Sequence, residues 1–119
     1  MVDRATVEDW VRGYLRAWES NRPEDIGRLF AEDGRYFTAP HRPPWSGQEE
    51  IVQGWIDRKD EPRAWSFRHE ILGIDGDTAF VRGWTTYRDD PDYSNLWMIR
   101  FAGDGTATEF TEWWMEVEE

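Results

Sequence analysis

The sequence contains no cysteine, only two histidines and no apolar run long enough to cross a bilayer. The absence of cysteine excludes disulfide bonds, zinc-thiolate sites and thiol nucleophiles, and it is typical of a reducing compartment. The first residues also lack the apolar segment of a secretory signal peptide. We therefore expect a cytoplasmic protein that does not associate with membranes.

Basic residues are scarce: 14 Lys and Arg stand against 25 Asp and Glu, which gives a formal net charge of −11. This charge repels the phosphates of nucleic acids and anionic lipid headgroups, so neither is an expected partner. Asp89, Asp90 and Asp92 surround Pro91 but lack the glycine and the terminal glutamate of an EF-hand loop. We expect a solvated acidic turn there, no metal site elsewhere, and no cofactor.

Aromatic residues, in contrast, are abundant, with nine Trp, six Phe and four Tyr among 119 residues. Side chains of this size bury large areas and favour one compact core. The sequence shows no internal repeat, low-complexity tract or flexible linker. We therefore predict a single domain over residues 1–119.

The first third of the chain predicts two helices. Apolar residues recur at helical spacing from Val7 to Trp18, with Thr6 placed to cap the start. Pro23, followed by two acidic residues, suits the first turn of a short second helix. The apolar face predicted for that second helix consists of Ile26, Leu29 and Phe30.

The remainder predicts one more helix and five strands. A strand over 35–39 is followed by a proline-rich loop at 40–45, since proline cannot donate within a central strand. Ser46 and Glu49 form a capping box ahead of the third helix. Turn residues then separate the four strands predicted over 65–74, 78–87, 95–101 and 107–117.

Several motifs resemble the nuclear transport factor 2-like superfamily, in particular its SnoaL-like and ketosteroid-isomerase-like branch. The matching segments are a helical Tyr14, Asp25-Ile26, residues 29–33, Ser46-Gly47 and the hairpin 100–105 that leads to Phe110, Trp113 and Trp114. The resemblance implies an α+β cone, in which three N-terminal helices pack on a curved, mostly antiparallel sheet that encloses a pocket. The superfamily contains both enzymes and non-enzymatic binders, so the motifs indicate the fold more strongly than an activity.

The resemblance also assigns roles to single residues. Tyr14 matches the tyrosine with which ketosteroid isomerases stabilise an oxyanion. The positions of their two aspartates fall on Thr38 and Trp97, which carry no carboxyl group. Steroid isomerisation by that mechanism is therefore not expected.

The same resemblance predicts which strand residues face the pocket. On the strand that begins near 95, Trp97, Ile99 and Phe101 are expected inside, and Leu96 and Met98 outside. An apolar outer face favours burial by a second copy, so we expect a homodimer through that face. The inward residues of the last strand are predicted to be Phe110, Glu112 and Trp114.

Three residues are candidates for catalysis. Glu112 among tryptophans could donate or accept a proton, unless a shift of one residue in the strand places it in solvent. Tyr14 could stabilise an oxyanion or simply be a core tyrosine with a backbone partner. His41 could transfer a proton at the cavity mouth or be a solvated loop histidine.

A second group of residues is predicted to contact an apolar ligand, because so many large rings are difficult to close-pack without leaving a cavity. His69 is expected to be a packed or outer-face residue. The predicted ligand-contacting residues are Trp18, Tyr36, Thr38, Trp55, Trp97, Ile99, Phe101, Phe110 and Trp114.

Three functional hypotheses follow. The first is a cofactor-independent acid-base enzyme of isomerase, cyclase or dehydratase type that acts on an apolar cyclic small molecule. The second is a non-catalytic binder of the same class of ligand. The third is an association module that functions through its outer sheet face.

Overall fold

The computed structural model describes residues 2–59 and 64–117. The helices are α1 (Arg4–Ser20), α2 (Pro23–Gly27) and α3 (Gln48–Asp57). The strands are β1 (Phe30–Phe37), β2 (Trp45–Ser46), β3 (Trp65–Asp75), β4 (Thr78–Tyr87), β5 (Tyr93–Phe101) and β6 (Ala107–Glu116). The α+β class and the four long C-terminal strands agree with the sequence prediction.

All six strands form one sheet in the order β2-β1-β6-β5-β4-β3. The β1/β6 pair is parallel and every other pair is antiparallel. Register shifts interrupt the β1/β6, β3/β4 and β5/β6 pairs, and such bulges bend strands and increase their twist. The sheet is therefore curved, mostly antiparallel and not closed into a barrel.

The residue that caps the start of helix α1 lies one turn before Thr6, the predicted cap. Asp3 is the capping residue, and its Oδ1 accepts a hydrogen bond from the Thr6 backbone N–H at 2.8 Å. An aspartate in this position satisfies a free amide and places negative charge at the positive end of the helix. The residues that α1 buries are Val7, Trp10, Val11, Tyr14 and Ala17.

The prediction that Leu29 and Phe30 belong to the second helix is wrong. Helix α2 ends at Gly27, and Phe30 is the first residue of β1. The Ala107 N–H donates to the Leu29 carbonyl at 2.8 Å, and Phe30 pairs with Ala107 in the sheet. This long-range pairing outweighs a helical continuation that only local spacing supported.

The predicted capping box is also wrong. Ser46 lies in β2, where it pairs with Arg35, and the proline-rich segment therefore ends in a short edge strand. Gly47 is the residue before α3 and has a φ of +87°, which glycine adopts without strain. No side chain of the described residues caps this helix.

Trp10 connects α1 to the inner face of the sheet. Its ring lies 6.4 Å from that of Trp97, 6.1 Å from that of Phe101 and 5.6 Å from that of Phe110. Its Nε1–H donates to the Leu29 carbonyl at 2.8 Å, so its one polar atom is satisfied. The core is thus an aromatic cluster between α1 and strands β5 and β6.

Burial alternates along β5 as the resemblance implied. Trp97, Ile99 and Phe101 are buried, whereas Leu96 and Arg100 are exposed. Leu96 pairs with Trp113 of β6, which is 39% exposed. The face of the sheet opposite the helices therefore carries apolar side chains.

A glycine in β4 permits close packing of an aromatic ring. A Cβ on Gly83 would lie 2.4 Å from Cζ of Phe67, and the Phe67 ring is held by a stack on Trp97 at 4.9 Å. We expect Gly83→Ala to lower the free energy of unfolding by roughly 1–3 kcal/mol, because the ring has to move out of its stack. Urea unfolding measures the change.

Gly73→Ala in β3 is the matched control, because a Cβ at this position meets no atom within 4 Å. It should leave the free energy of unfolding nearly unchanged or raise it slightly. An equal loss in the two variants would contradict the close packing at Gly83.

Candidate functional site

A cavity of about 480 Å³ lies between the inner face of the sheet and helices α1 and α3. Its inner part is formed by six buried side chains, and its outer part includes Trp114 and four charged side chains that are exposed. The buried lining residues are Tyr14, Tyr36, Trp55, Thr85, Asn95 and Trp97. The exposed lining residues with a charge are Arg42, Arg58, Lys59 and Asp90.

Two tyrosine hydroxyls meet inside this cavity. The hydroxyl oxygens of Tyr14 on α1 and Tyr36 on β1 lie 2.8 Å apart, and either can be the donor. Both side chains are about 95% buried. A pair of hydroxyls in which one donates to the other can present its second proton to a ligand oxygen.

Burial raises the pKa of both tyrosines above the ordinary value. For Tyr14 the largest cause is desolvation, followed by the charges of Tyr36 and Glu112. For Tyr36 the largest cause is again desolvation, followed by the charge of Glu112, while Arg58 acts in the opposite direction. The two hydroxyls therefore remain protonated donors at neutral pH.

Two side chains of the neighbouring strand β5 donate hydrogen bonds to Glu112 on β6. Its Oε2 accepts hydrogen bonds from Asn95 Nδ2 at 2.9 Å and from Trp97 Nε1 at 3.3 Å. Thr85 on β4 donates to Asn95 Oδ1 at 2.7 Å, which fixes the orientation of the amide. A chain of hydrogen bonds across β4, β5 and β6 thus positions this carboxyl group.

Nine of the described residues that line the cavity are tryptophans or tyrosines. Trp55 lies 4.8 Å from Tyr14, and Trp45 lies 4.8 Å from Tyr36. Trp114 is about half exposed and donates through Nε1 to the Thr38 carbonyl at 3.1 Å, which joins β6 to the segment after β1. The wall is therefore suited to a planar apolar molecule.

Most of the predicted site residues meet at this cavity. Glu112 lines it but is half-buried rather than buried, and Tyr14 has a side-chain partner rather than a backbone partner. The two positions that lack the isomerase aspartates, Thr38 and Trp97, also line the cavity. The other predicted contact residues that line it are Trp18, Tyr36, Trp55 and Trp114.

Four predicted site residues do not line the cavity. Ile99, Phe101 and Phe110 are buried in the core beneath it. His41 is exposed, and its neighbour Arg42 lines the cavity instead. The arrangement therefore does not bring His41 together with Tyr14 and Glu112.

His69 lies outside the cavity on the inner side of β3. Its Nε2 is 3.1 Å from Glu8 Oε2, and its ring stacks at 6.2 Å on Phe67. It is a packed histidine that links β3 to α1, which is one of the two roles expected for it.

Several lining residues escaped the sequence interpretation. Thr85 and Asn95 are polar residues on strand faces that are otherwise buried, and Asn95 precedes Trp97 by two positions, so strand alternation could have placed it beside Trp97. Trp45 belongs to the proline-rich segment that was predicted to be a loop. No sequence pattern places Arg42, Arg58 and Lys59 at the same cavity.

Within residues 2–59 and 64–117, no three His, Asp or Glu side chains are grouped as a metal ion would require. None of the helices in this part of the chain is long and apolar enough to span a bilayer. The inner lining of the cavity includes the hydroxyl pair of Tyr14 and Tyr36 and the carboxyl group of Glu112. This combination is suited to proton transfer.

The family model of the SnoaL-like domain matches residues 11–117. No curated protein sequence matches the chain. Many solved structures share its fold. One is an NTF-2 like protein of unknown function from Burkholderia xenovorans LB400, with 11% identity and a TM-score of 0.76; the match covers 97% of this chain and 87% of that protein.

Two further neighbours have names that refer to isomerases. A ketosteroid isomerase-like protein from Erwinia carotovora atroseptica SCRI1043 has 18% identity and a TM-score of 0.66, over 95% of this chain and 96% of its own. A steroid delta-isomerase from Pseudomonas aeruginosa has 14% identity and a TM-score of 0.66; the match covers 96% of this chain and 82% of that protein. At these identities the likeness establishes the fold alone, which is the predicted NTF2-like one.

Proposed function

Because the chain belongs to the SnoaL-like domain family, we propose that it is a cofactor-independent enzyme that transfers a proton on an apolar cyclic small molecule. The observation that carries this proposal is the presence of a protonated tyrosine pair and a positioned carboxyl group at one aromatic cavity. Glu112 is the proposed acid-base group. The hydroxyl pair of Tyr14 and Tyr36 is the proposed oxyanion donor.

The proposed step is the removal of a proton from a carbon next to a carbonyl group. Glu112 accepts that proton, and the electron pair of the broken C–H bond moves toward the carbonyl oxygen. The developing oxyanion is stabilised by the hydroxyl pair, whose high pKa keeps both protons in place. In a substrate with a carbon–carbon double bond between the β- and γ-carbons, the negative charge extends to the γ-carbon. Return of the proton to that carbon moves the double bond and completes an isomerisation, with no oxidant or second reactant.

The experiment uses 1-indanone, a planar bicyclic ketone, in deuterated buffer. Proton NMR follows the exchange of its α-protons for deuterium with and without the protein, and tryptophan fluorescence follows its binding. Exchange above the buffer rate, with saturation at increasing ketone concentration, is the expected result. Binding without faster exchange would contradict the enzymatic proposal.

Non-catalytic binding of the same class of ligand is the second candidate function. It is favoured by Thr38 and Trp97, which occupy the positions where the isomerases carry aspartates. The aromatic wall would serve binding equally well with or without chemistry. The outcome of binding without exchange would favour this candidate.

We further propose that the outer sheet face forms a homodimer. Leu96, Trp113 and Met115 are exposed on β5 and β6 at 36%, 39% and 71%. Burial of such a continuous apolar patch by a second copy is favourable.

Light scattering should give twice the chain mass, and Leu96→Glu should shift the protein toward the single-chain mass. Wild-type protein that stays at the single-chain mass at high micromolar concentration would contradict this proposal.

A further inference from the structure

Three cationic side chains surround the outer part of the cavity. Arg42 follows β1, and Arg58 and Lys59 follow the last residue of α3. They come from two separate segments of the chain, and all three are exposed. Their convergence is unexpected in a protein with a net charge of −11.

In the described part of the chain, these three cations have no ion-pair partner. Within residues 2–59 and 64–117, no carboxylate lies within ion-pair distance of Arg42, Arg58 or Lys59, whereas Arg12 and Arg35 are each paired with a carboxylate. Asp90 is the exposed acidic residue among the lining residues that the structure describes. Among the described residues, three positive charges and one negative charge therefore line the outer part of the cavity.

The inner part of the cavity, in contrast, disfavours a negative charge. Glu112 lines it and would repel an anion that entered fully, while the tyrosine pair and the tryptophans favour an uncharged ring. A ligand that carries one carboxylate on a planar apolar body satisfies both parts. Its body would enter toward Tyr14 and Tyr36, and its carboxylate would stay between the cations.

We infer that the natural ligand is an apolar cyclic molecule with a single anionic group, held at the cavity mouth by Arg42, Arg58 and Lys59. This inference rests on the proposed small-molecule function of the same cavity. Arg58 lines the cavity, and it lowers the pKa of Tyr36 against the larger effect of burial, so its charge lies within electrostatic reach of the tyrosine pair. Guanidinium groups bind carboxylates through paired hydrogen bonds, which favours this class of anion.

The test compares 2-naphthoate with 2-naphthamide, which has the same ring system and no charge, by isothermal titration calorimetry. Naphthoate should bind about five- to tenfold more tightly, the gain expected of a charge-assisted contact that solvent partly screens. Added salt should weaken the binding of naphthoate and leave that of naphthamide unchanged. Arg58→Gln and Arg42→Gln should each reduce this preference.

Arg4→Gln is the matched control, because Arg4 is exposed on α1 and does not line the cavity. This substitution removes one positive charge, as Arg42→Gln and Arg58→Gln do. It should keep the wild-type preference. Equal or tighter binding of naphthamide by the wild type would overturn the inference and leave the proposed small-molecule function standing. Failure of both compounds to bind below millimolar concentration would instead refute the proposed function.

Discussion

Replacing Glu112 with glutamine should lower the rate of protein-dependent α-proton exchange by about 100-fold to 10,000-fold, the usual contribution of a positioned acid-base group. Glutamine has nearly the same shape and retains one carbonyl oxygen that can accept from Asn95 and Trp97. It cannot accept the proton of a C–H bond. Ligand binding should therefore change little, while the rate constant at saturation falls.

Glu116→Gln is the control for this experiment, because Glu116 lies on the same strand but is exposed and does not line the cavity. It should exchange α-protons at the wild-type rate. NMR exchange rates and fluorescence titrations on all three proteins separate chemistry from binding. An unchanged exchange rate in Glu112→Gln would remove Glu112 from the mechanism.

The tyrosine pair should make the protein less stable in alkali. Below pH about 10 both tyrosines are protonated in the folded and unfolded states, so they cause no change of stability with pH. Above that value the unfolded chain releases their protons, whereas burial raises the pKa of Tyr14 and Tyr36 in the folded state. The unfolding free energy should then fall by about 1.4 kcal/mol per pH unit for each of the two tyrosines.

The double substitution Tyr14→Phe and Tyr36→Phe tests this expectation. It should be less stable than the wild type near pH 8, because the polar pair and its fit are lost, but its stability should fall less steeply above pH 10. Urea unfolding between pH 8 and 11 gives both slopes. Equal slopes would mean that the two hydroxyls ionise in the folded protein as they do in the unfolded chain.

Local patterns in the sequence were sufficient for the buried faces of α1 and β5. The helical spacing from Val7 to Trp18 and the alternation along β5 determine which side of each element is apolar, because each pattern repeats within a few residues. The predicted inner residues Trp97 and Ile99 are buried, and Leu96 is exposed. The family motifs then predicted the fold, which the family match and the structural neighbours confirm.

Local patterns failed where distant segments compete for the same residues. Phe30 fits the apolar face of a helix as well as it fits a strand, and only its pairing with Ala107 decides between them. Ser46 is a good capping residue by sequence, but pairing with Arg35 places it in an edge strand. In both cases the free energy of a long-range sheet contact exceeds a preference of local sequence.

By itself the sequence determined the residue types available for chemistry: tyrosines, a glutamate among aromatic residues, and no cysteine. Only the tertiary structure decided which of them meet. Tyr14 and Tyr36 are 22 residues apart in the sequence, yet their hydroxyl oxygens lie 2.8 Å apart. The contact between Asn95 and Glu112 depends on the register of β5 and β6. A slip of one residue would turn either strand's side chains to the opposite face, so the site exists through register and packing rather than through any local motif.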